Sequence, residues 1–196
     1  RGPDYTGYEF FNDEKFFFKF GHKRLSIIDL SNNGNQPMIS NKNSILIYNG
    51  EIYNHLKLRK IIDKKISVKW KGSSDTETLL YFLENFETSY VLNNLQGMFS
   101  FIFYNLNKKQ LILSRDFAGE KPLYIQTCDK YISFASDIKS LSNFSKFDKK
   151  INSESMQNYL KYSYIPYPLS IYENIFKLPP ASFIKLDLNE FNFLKC

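Results

Sequence analysis

Apolar residues along this chain fall into two spacings, alternation by two and stripes at three and four, and the switches between them set the expected elements. Lys15 to Phe20, Arg24 to Leu30 and Ser44 to Tyr48 are rich in Ile, Leu, Phe and Tyr, and Gly21 and the stretch Asn32 to Pro37 punctuate them, which predicts strands. Ile52 to Ile62 shifts to helical spacing, with Leu58, Ile61 and Ile62 on one side. Ser74 followed by Glu77 forms a capping-box pattern, and Leu79, Leu80, Leu83 and Phe86 supply the stripe behind it. A helix from Asp75 to Phe86 is the expectation. Met98 to Tyr104, Gln110 to Ser114, Pro122 to Thr127 and Tyr131 to Ala135 each break at a polar turn, which predicts a meander of antiparallel strands. Asn152 or Ser153 caps a helix reaching Tyr162, stopped by Pro166 and Pro168, and Ser182 to Leu188 alternates as a last half-buried strand. Strands clustered before and after a helical pair place the chain in the α+β class, sheets face to face and helices outside.

Composition narrows the picture. At 196 residues with 43% hydrophobic and 17% aromatic content the chain is read as one domain; a chain of that size buries roughly 70% of its unfolded surface. No run approaches the roughly 20 apolar residues needed to span a bilayer, and no leader is visible at the amino end, so no membrane association is expected. The two cysteines, Cys128 and Cys196, make no disulfide framework and favour a reducing compartment, with cytoplasm the simplest reading. The net charge of +6 comes from scattered lysines such as Lys57, Lys60, Lys64, Lys65, Lys69 and Lys71, which read as a solvated face rather than a nucleic-acid surface. The only histidines, His22 and His55, lack companions at ligand spacing, so no metal is expected.

Candidate chemistry begins at Tyr48-Asn49-Gly50-Glu51-Ile52-Tyr53-Asn54-His55, directly after the apolar run Ile45-Leu46-Ile47. A glycine lets a backbone N–H approach a ligand without a Cβ in the way, and the neighbouring Asn49 amide offers a second donor, a pairing suited to a developing oxyanion. The same Asn-Gly pair also serves as an ordinary turn. Before it stands Gly21-His22-Lys23-Arg24-Leu25-Ser26-Ile27-Ile28-Asp29-Leu30, then Gln36-Pro37-Met38; after it come Ser74-Asp75-Thr76-Glu77 and Arg115-Asp116-Phe117-Ala118-Gly119-Glu120-Lys121-Pro122-Leu123-Tyr124. In this order, from Arg1-Gly2-Pro3-Asp4 to Lys177-Leu178-Pro179-Pro180-Ala181, the motifs resemble the glutaminase domain of glutamine-hydrolysing asparagine synthetases, class II glutamine amidotransferases.

The resemblance implies the four-layer αββα sandwich of N-terminal nucleophile hydrolases, here without its first strand and helix, since the family opens with a nucleophilic cysteine, a strand and a helix before the Arg-Gly-Pro-Asp segment. Residues 1–190 would form that domain and 191–196 the start of a linker to the chain's own synthetase domain. ATP and Mg²⁺ would serve that second domain, and no cofactor this one. Glutamine is the implied substrate, hydrolysed to glutamate and ammonia for amidation of aspartate, and without the cysteine the chain alone is expected to be inert. Arg24 would take the α-carboxylate and Asp75 the α-ammonium, although an Asp at a helix start is also an adequate cap. Leu25, Ser26, Ile27 and Ile28 would line the pocket by backbone contacts, with Glu51 adding another contact. The Asn49 side chain and Gly50 N–H would form the oxyanion hole. Arg1 and Asp4 would frame the site, and Arg115 to Leu123 reads as a structural turn. The glutaminase half of another class II amidotransferase and a nucleophile-free binding or scaffolding module are the alternatives; other carboxylate acceptors and a homodimer stay open.

Overall fold

The computed structural model describes residues 2–13, 15–128, 131–143 and 147–191, without the side chain of residue 128. Arg1, Cys196 and the linker residues from 192 onward lie outside the described residues. β1 (Tyr5–Asn12) and β2 (Phe17–Arg24) form an antiparallel hairpin. β3 (Met38–Ile39) and β4 (Ser44–Ile52) follow, then α1 (His55–Lys65), α2 (Asp75–Asn85) and α3 (Thr88–Asn94). β5 (Gly97–Asn105), β6 (Gln110–Arg115), β7 (Tyr124–Cys128) and β8 (Tyr131–Ala135) lead to α4 (Ile138–Leu141), α5 (Ser153–Tyr162), β9 (Ile175–Lys177) and β10 (Phe183–Asp187).

The period-two alternation of β4 divides its side chains between two cores. Leu46, Tyr48 and Ile52 face α1 and α2, meeting Leu58, Ile62, Leu79 and Phe82, while Ile45 and Ile47 face the other way. There the five-stranded sheet, ordered β10-β6-β5-β4-β3, packs on Phe20 of β2 and Ile125 of the three-stranded sheet β8-β7-β9. Helices, central sheet and second sheet layer stack in that order, with α4 against β8, the α+β sandwich that the pattern predicts.

Register places the polar end of this sandwich. Across β4, β5 and β6 the rows Ile45–Tyr104–Leu111 and Ile47–Ile102–Leu113 are apolar, and the next row is Asn49–Ser100–Arg115. β2 alternates in step, since Phe18 and Phe20 pack into the sheet–sheet core and His22 and Arg24 continue the same face. The Phe18 ring stacks on Tyr104 at 4.5 Å. Both layers therefore turn polar at one end.

Several expectations are corrected. Arg24 to Leu30 is no strand: β2 ends at Arg24 and the chain folds back, because the Arg24 guanidinium binds the Asp29 and Ser31 carbonyls and the Asp29 carboxylate accepts from Ser31 N at 2.8 Å. Ile52 ends β4 rather than opening a helix, since Tyr53 N–H still bonds Gln96 O at 2.8 Å. The four runs from Met98 to Ala135 are two hairpins in two sheets, not one meander; β6 turns to β10 and β7 to β9. The Arg115–Asp116 corner causes the split. Arg115 donates to the carbonyls of Lys121, Leu178 and Gly119, and the buried Asp116 carboxylate accepts from Glu120 N and Lys121 N, so the turn is locked on itself. Strand β1 escapes the pattern because Tyr8 and Phe10 are exposed while Phe11 packs inward, leaving apolar residues on both faces.

Gly97 and Gly50 sit where β4 and β5 approach closely, with φ of 153° and 147°. A Cβ on Gly97 would run into the Glu51 carbonyl oxygen and one on Gly50 into that of Met98. Gly97→Ala is expected to lower stability by about 1–3 kcal/mol, read as a lowered urea midpoint at unchanged m-value.

Candidate active site

The polar end is organised around the first turn of α2. Ser74 caps the helix, its hydroxyl accepting from Glu77 N at 3.1 Å. The reciprocal half of the capping box is absent, because the Glu77 carboxylate instead accepts from Lys71 N and Gly72 N. Asp75 is 5% exposed, and its Oδ2 accepts from the Tyr48 hydroxyl at 2.7 Å and from Ile52 N at 2.9 Å. One carboxylate oxygen thus grips β4 on either side of Asn49-Gly50-Glu51.

The open edge of β4 carries an informative sequence of amides. In an antiparallel strand each residue sends its N–H and C=O to the same side. Phe99, opposite Gly50, spends both on Asp116, its O accepting from Asp116 N at 2.8 Å and its N donating to Asp116 Oδ2 at 3.3 Å. Gly50 and Phe99 are therefore a non-hydrogen-bonded pair, and the Gly50 N–H points away from β5. Its neighbours on that side are taken by side chains: Tyr48 N donates to Gln36 Oε1 at 2.7 Å, and Ile52 N donates to Asp75. Gly50 N–H lies between them with no partner among the described residues. The Asn49 carboxamide is likewise without one.

Arg24 is 7% exposed and points along the β2 face that ends in this polar region. Its Nη1 donates to Ser31 O at 2.7 Å and Asn35 Oδ1 at 2.9 Å, and its Nη2 to Asp29 O. A guanidinium has five N–H donors, so Nε–H and one Nη2–H stay without a partner among the described residues. Gly34 makes room for the group, since a Cβ there would collide with Nη2 and Cζ. Beside it, burial lowers the pKa of the His22 imidazole, a contact with the Tyr48 backbone raises it, and the Arg24 charge lowers it further; the net shift is downward.

Asp29 joins this loop to α2. Its Oδ2 accepts from Ser73 N at 2.8 Å and its Oδ1 from the Ser31 hydroxyl at 2.6 Å. Burial alone would raise the Asp29 carboxyl, but the bonds from Ser31 and Ser73 outweigh it and hold it below the usual carboxylate range. From the far side Arg59 of α1 donates to Thr78 Oγ1, Gly72 O and Ser74 O at 2.8, 2.9 and 2.9 Å, its guanidinium 4.1 Å from the Trp70 ring centre.

Of the candidates picked from sequence, Asp75 is bonded to β4 on both sides of Asn49 and Gly50, and Arg24 is linked to the loop before Asp75 through Asp29. Glu51 lies beside them on β4, half-buried. The loop residues Leu25, Ile27 and Ile28 turn their side chains outward at 62, 60 and 38% exposure, and Ser26 N is already bonded to Asp4 Oδ2 at 2.7 Å. Asp4 therefore shapes this loop. Tyr48, Asp29 and Gln36 stood in quoted motifs without a role, and Gly34 and Arg59 in none. Only the tertiary contacts give them one.

Comparison with known proteins fits this arrangement. A family model described as a glutamine amidotransferase domain matches residues 1–195. Glutamine-hydrolysing asparagine synthetase 1 of Bacillus subtilis (strain 168) is 37% identical over 182 residues, covering 93% of this chain and 28% of that protein. A putative glutamine-hydrolysing asparagine synthetase 2 of Methanocaldococcus jannaschii is 31% identical over 207 residues, covering 97% and 39%. The chain therefore spans less than two fifths of the length of these relatives. Among solved structures, the glutamine phosphoribosylpyrophosphate amidotransferase of B. subtilis, complexed with ADP and GMP, superposes with a TM-score of 0.51 at 24% identity, over 62% of this chain and 28% of that one. That likeness shows the fold alone. With the match to the family model running from residue 1 to residue 195, the chain belongs to the glutamine amidotransferase domain family.

Proposed function

We propose that this chain is the glutamine-hydrolysing domain of an asparagine synthetase, feeding ammonia to a synthetase domain that activates aspartate with ATP and Mg²⁺. The observation that carries the reading is the Gly50 N–H, without a partner among the described residues, held between the occupied amides of Tyr48 and Ile52 and adjacent to the Asn49 carboxamide, which has none among them either. The Gly50 N–H, fixed by the register of β4 before substrate arrives, stabilises an oxyanion without reorganising, and the neighbouring Asn49 carboxamide is free to join it as a second donor. The names of the relatives at 37% and 31% identity support aspartate as the acceptor.

Within this reading the remaining donors of Arg24 meet the α-carboxylate, its other donors holding the group in place through Ser31, Asn35 and Asp29. Asp75 receives the α-ammonium through the oxygen not engaged by β4. A cysteine thiolate attacks the side-chain amide carbon and forms a C–S bond; the carbonyl oxygen becomes the oxyanion at Asn49 and Gly50. Collapse breaks the C–N bond and ammonia leaves with a proton from the nucleophile's own α-amino group; water then hydrolyses the thioester. Among the residues given, neither Cys128 nor Cys196 matches the family's nucleophile position.

In the full-length protein carrying this domain, Asn49→Ala is expected to cut glutamine-dependent turnover by about 10²–10³-fold while synthesis from free ammonia persists. Equal loss of both activities in steady-state assays would reject the assignment. Gly34→Ala, which pushes the Arg24 guanidinium aside, should raise the glutamine KM about tenfold with a much smaller change in kcat. The chain as given should release no ammonia from glutamine, and turnover by the purified polypeptide would overturn that.

A further inference from the structure

Asp75 is buried at the start of α2, yet the helix alone does not fix where its carboxylate points. Two donors from β4 do so, the Tyr48 hydroxyl at 2.7 Å and Ile52 N at 2.9 Å, both on Oδ2. Oδ1 has no partner among the described residues. The phenol itself is 3% exposed and anchored in the helix–sheet core with Leu46, Ile52 and Leu79. It is anchored at its backbone as well, because Tyr48 N–H is held by Gln36, whose amide Nε2 reaches Thr76 Oγ1 in the first turn of α2. Burial, then the Asp75 charge and the bond to it, push the phenol pKa far upward, so the hydroxyl remains a donor. His55, the other polar ring in the field of Asp75, is kept below its ordinary pKa chiefly by burial, and its Nδ1 is buried without a bond.

We infer that Tyr48 is the positioning residue that fixes the Asp75 carboxylate, occupying Oδ2 and leaving Oδ1 aimed at the ligand, and that it thereby sets the preference of the site for an amide bearing an α-ammonium group. This rests on the reading above in which Asp75 receives that ammonium. Backbone N–H of Ile52 is common to every variant, so the hydroxyl is the adjustable half of the clamp. Without it the carboxylate is free to rotate away from the ammonium. A substrate lacking the ammonium should be indifferent to the loss.

The test compares glutamine with glutaramate, the same amide without its α-amino group, in the full-length protein. Tyr48→Phe removes one oxygen and keeps the ring in the core. It is expected to lower kcat/KM for glutamine about tenfold and to leave that for glutaramate unchanged, so the ratio between them falls about tenfold. The ratio cancels the fraction of folded enzyme, so partial misfolding does not obscure it. In the Asp75→Asn background, adding Tyr48→Phe should change the ratio no further. A ratio unaltered by Tyr48→Phe, or losses additive with Asp75→Asn, would overturn the inference. If Asp75→Asn itself leaves the ratio intact, the ammonium role of Asp75 falls, and the Tyr48 inference with it.

Discussion

A buried carboxylate has to be matched by donors or it destabilises the fold that buries it. Asp75 meets that demand with groups from another element, and this fastens the first turn of α2 to β4 on both sides of Gly50. The distance between helix start and strand end is thereby fixed at the place where the two unpaired donors lie. Remove both bonds, and the start of α2 and the end of β4 lose their common reference; with the Tyr48 hydroxyl alone removed, the Ile52 N–H bond still joins them.

Around that joint, two arginines bind mostly neutral oxygens of the loops, and Arg59 also pairs with the Glu77 carboxylate at 3.6 Å. Arg24 gathers the loop after β2 through carbonyl and amide oxygens, and Arg59 gathers the loop before α2 in the same manner. Carbonyl and amide oxygens satisfy a guanidinium without cancelling its charge, and the partners of Arg24 are all of that kind. The field at the polar end of the sandwich is built by the loops as much as by the side chains. That polarity follows from the registers: β2 and β4 both run out of apolar residues facing the sheet–sheet core, at His22–Arg24 and at Asn49, and the His22 ring meets the Tyr48 backbone.

Much of this was legible in the sequence where the determining interaction is local. The apolar run of β4, the Ser74 cap and the stripe of α2 are short-range patterns, and they appear where the alternation and spacing put them. Asn49, Gly50, Arg24 and Asp75 stand out in motifs, and the fold sets Asp75 against β4 around Asn49 and Gly50 and ties Arg24 to the loop before α2 through Asp29. Illegible were the features decided by side chain to backbone bonds over long separations. The run after Arg24 has strand composition, but the Arg24 guanidinium folds it into a loop. The runs on either side of Arg115 look like neighbours in a meander, but the Arg115–Asp116 corner sends them to different sheets. Gly34 lies in no quoted motif and Tyr48 stands in one without a role, because a core tyrosine and a loop glycine acquire their roles only from Asp75 and Arg24.

Asp29 has a consequence for anyone who wishes to re-aim this pocket. Its carboxylate ties Ser31 in one loop to Ser73 in another, while its carbonyl holds Arg24. Segments 25–35 and 71–74 consequently behave as a single graft: transplanting either from a relative without its counterpart would leave an acid stranded among mismatched amides, so new specificities have to be exchanged as a matched pair.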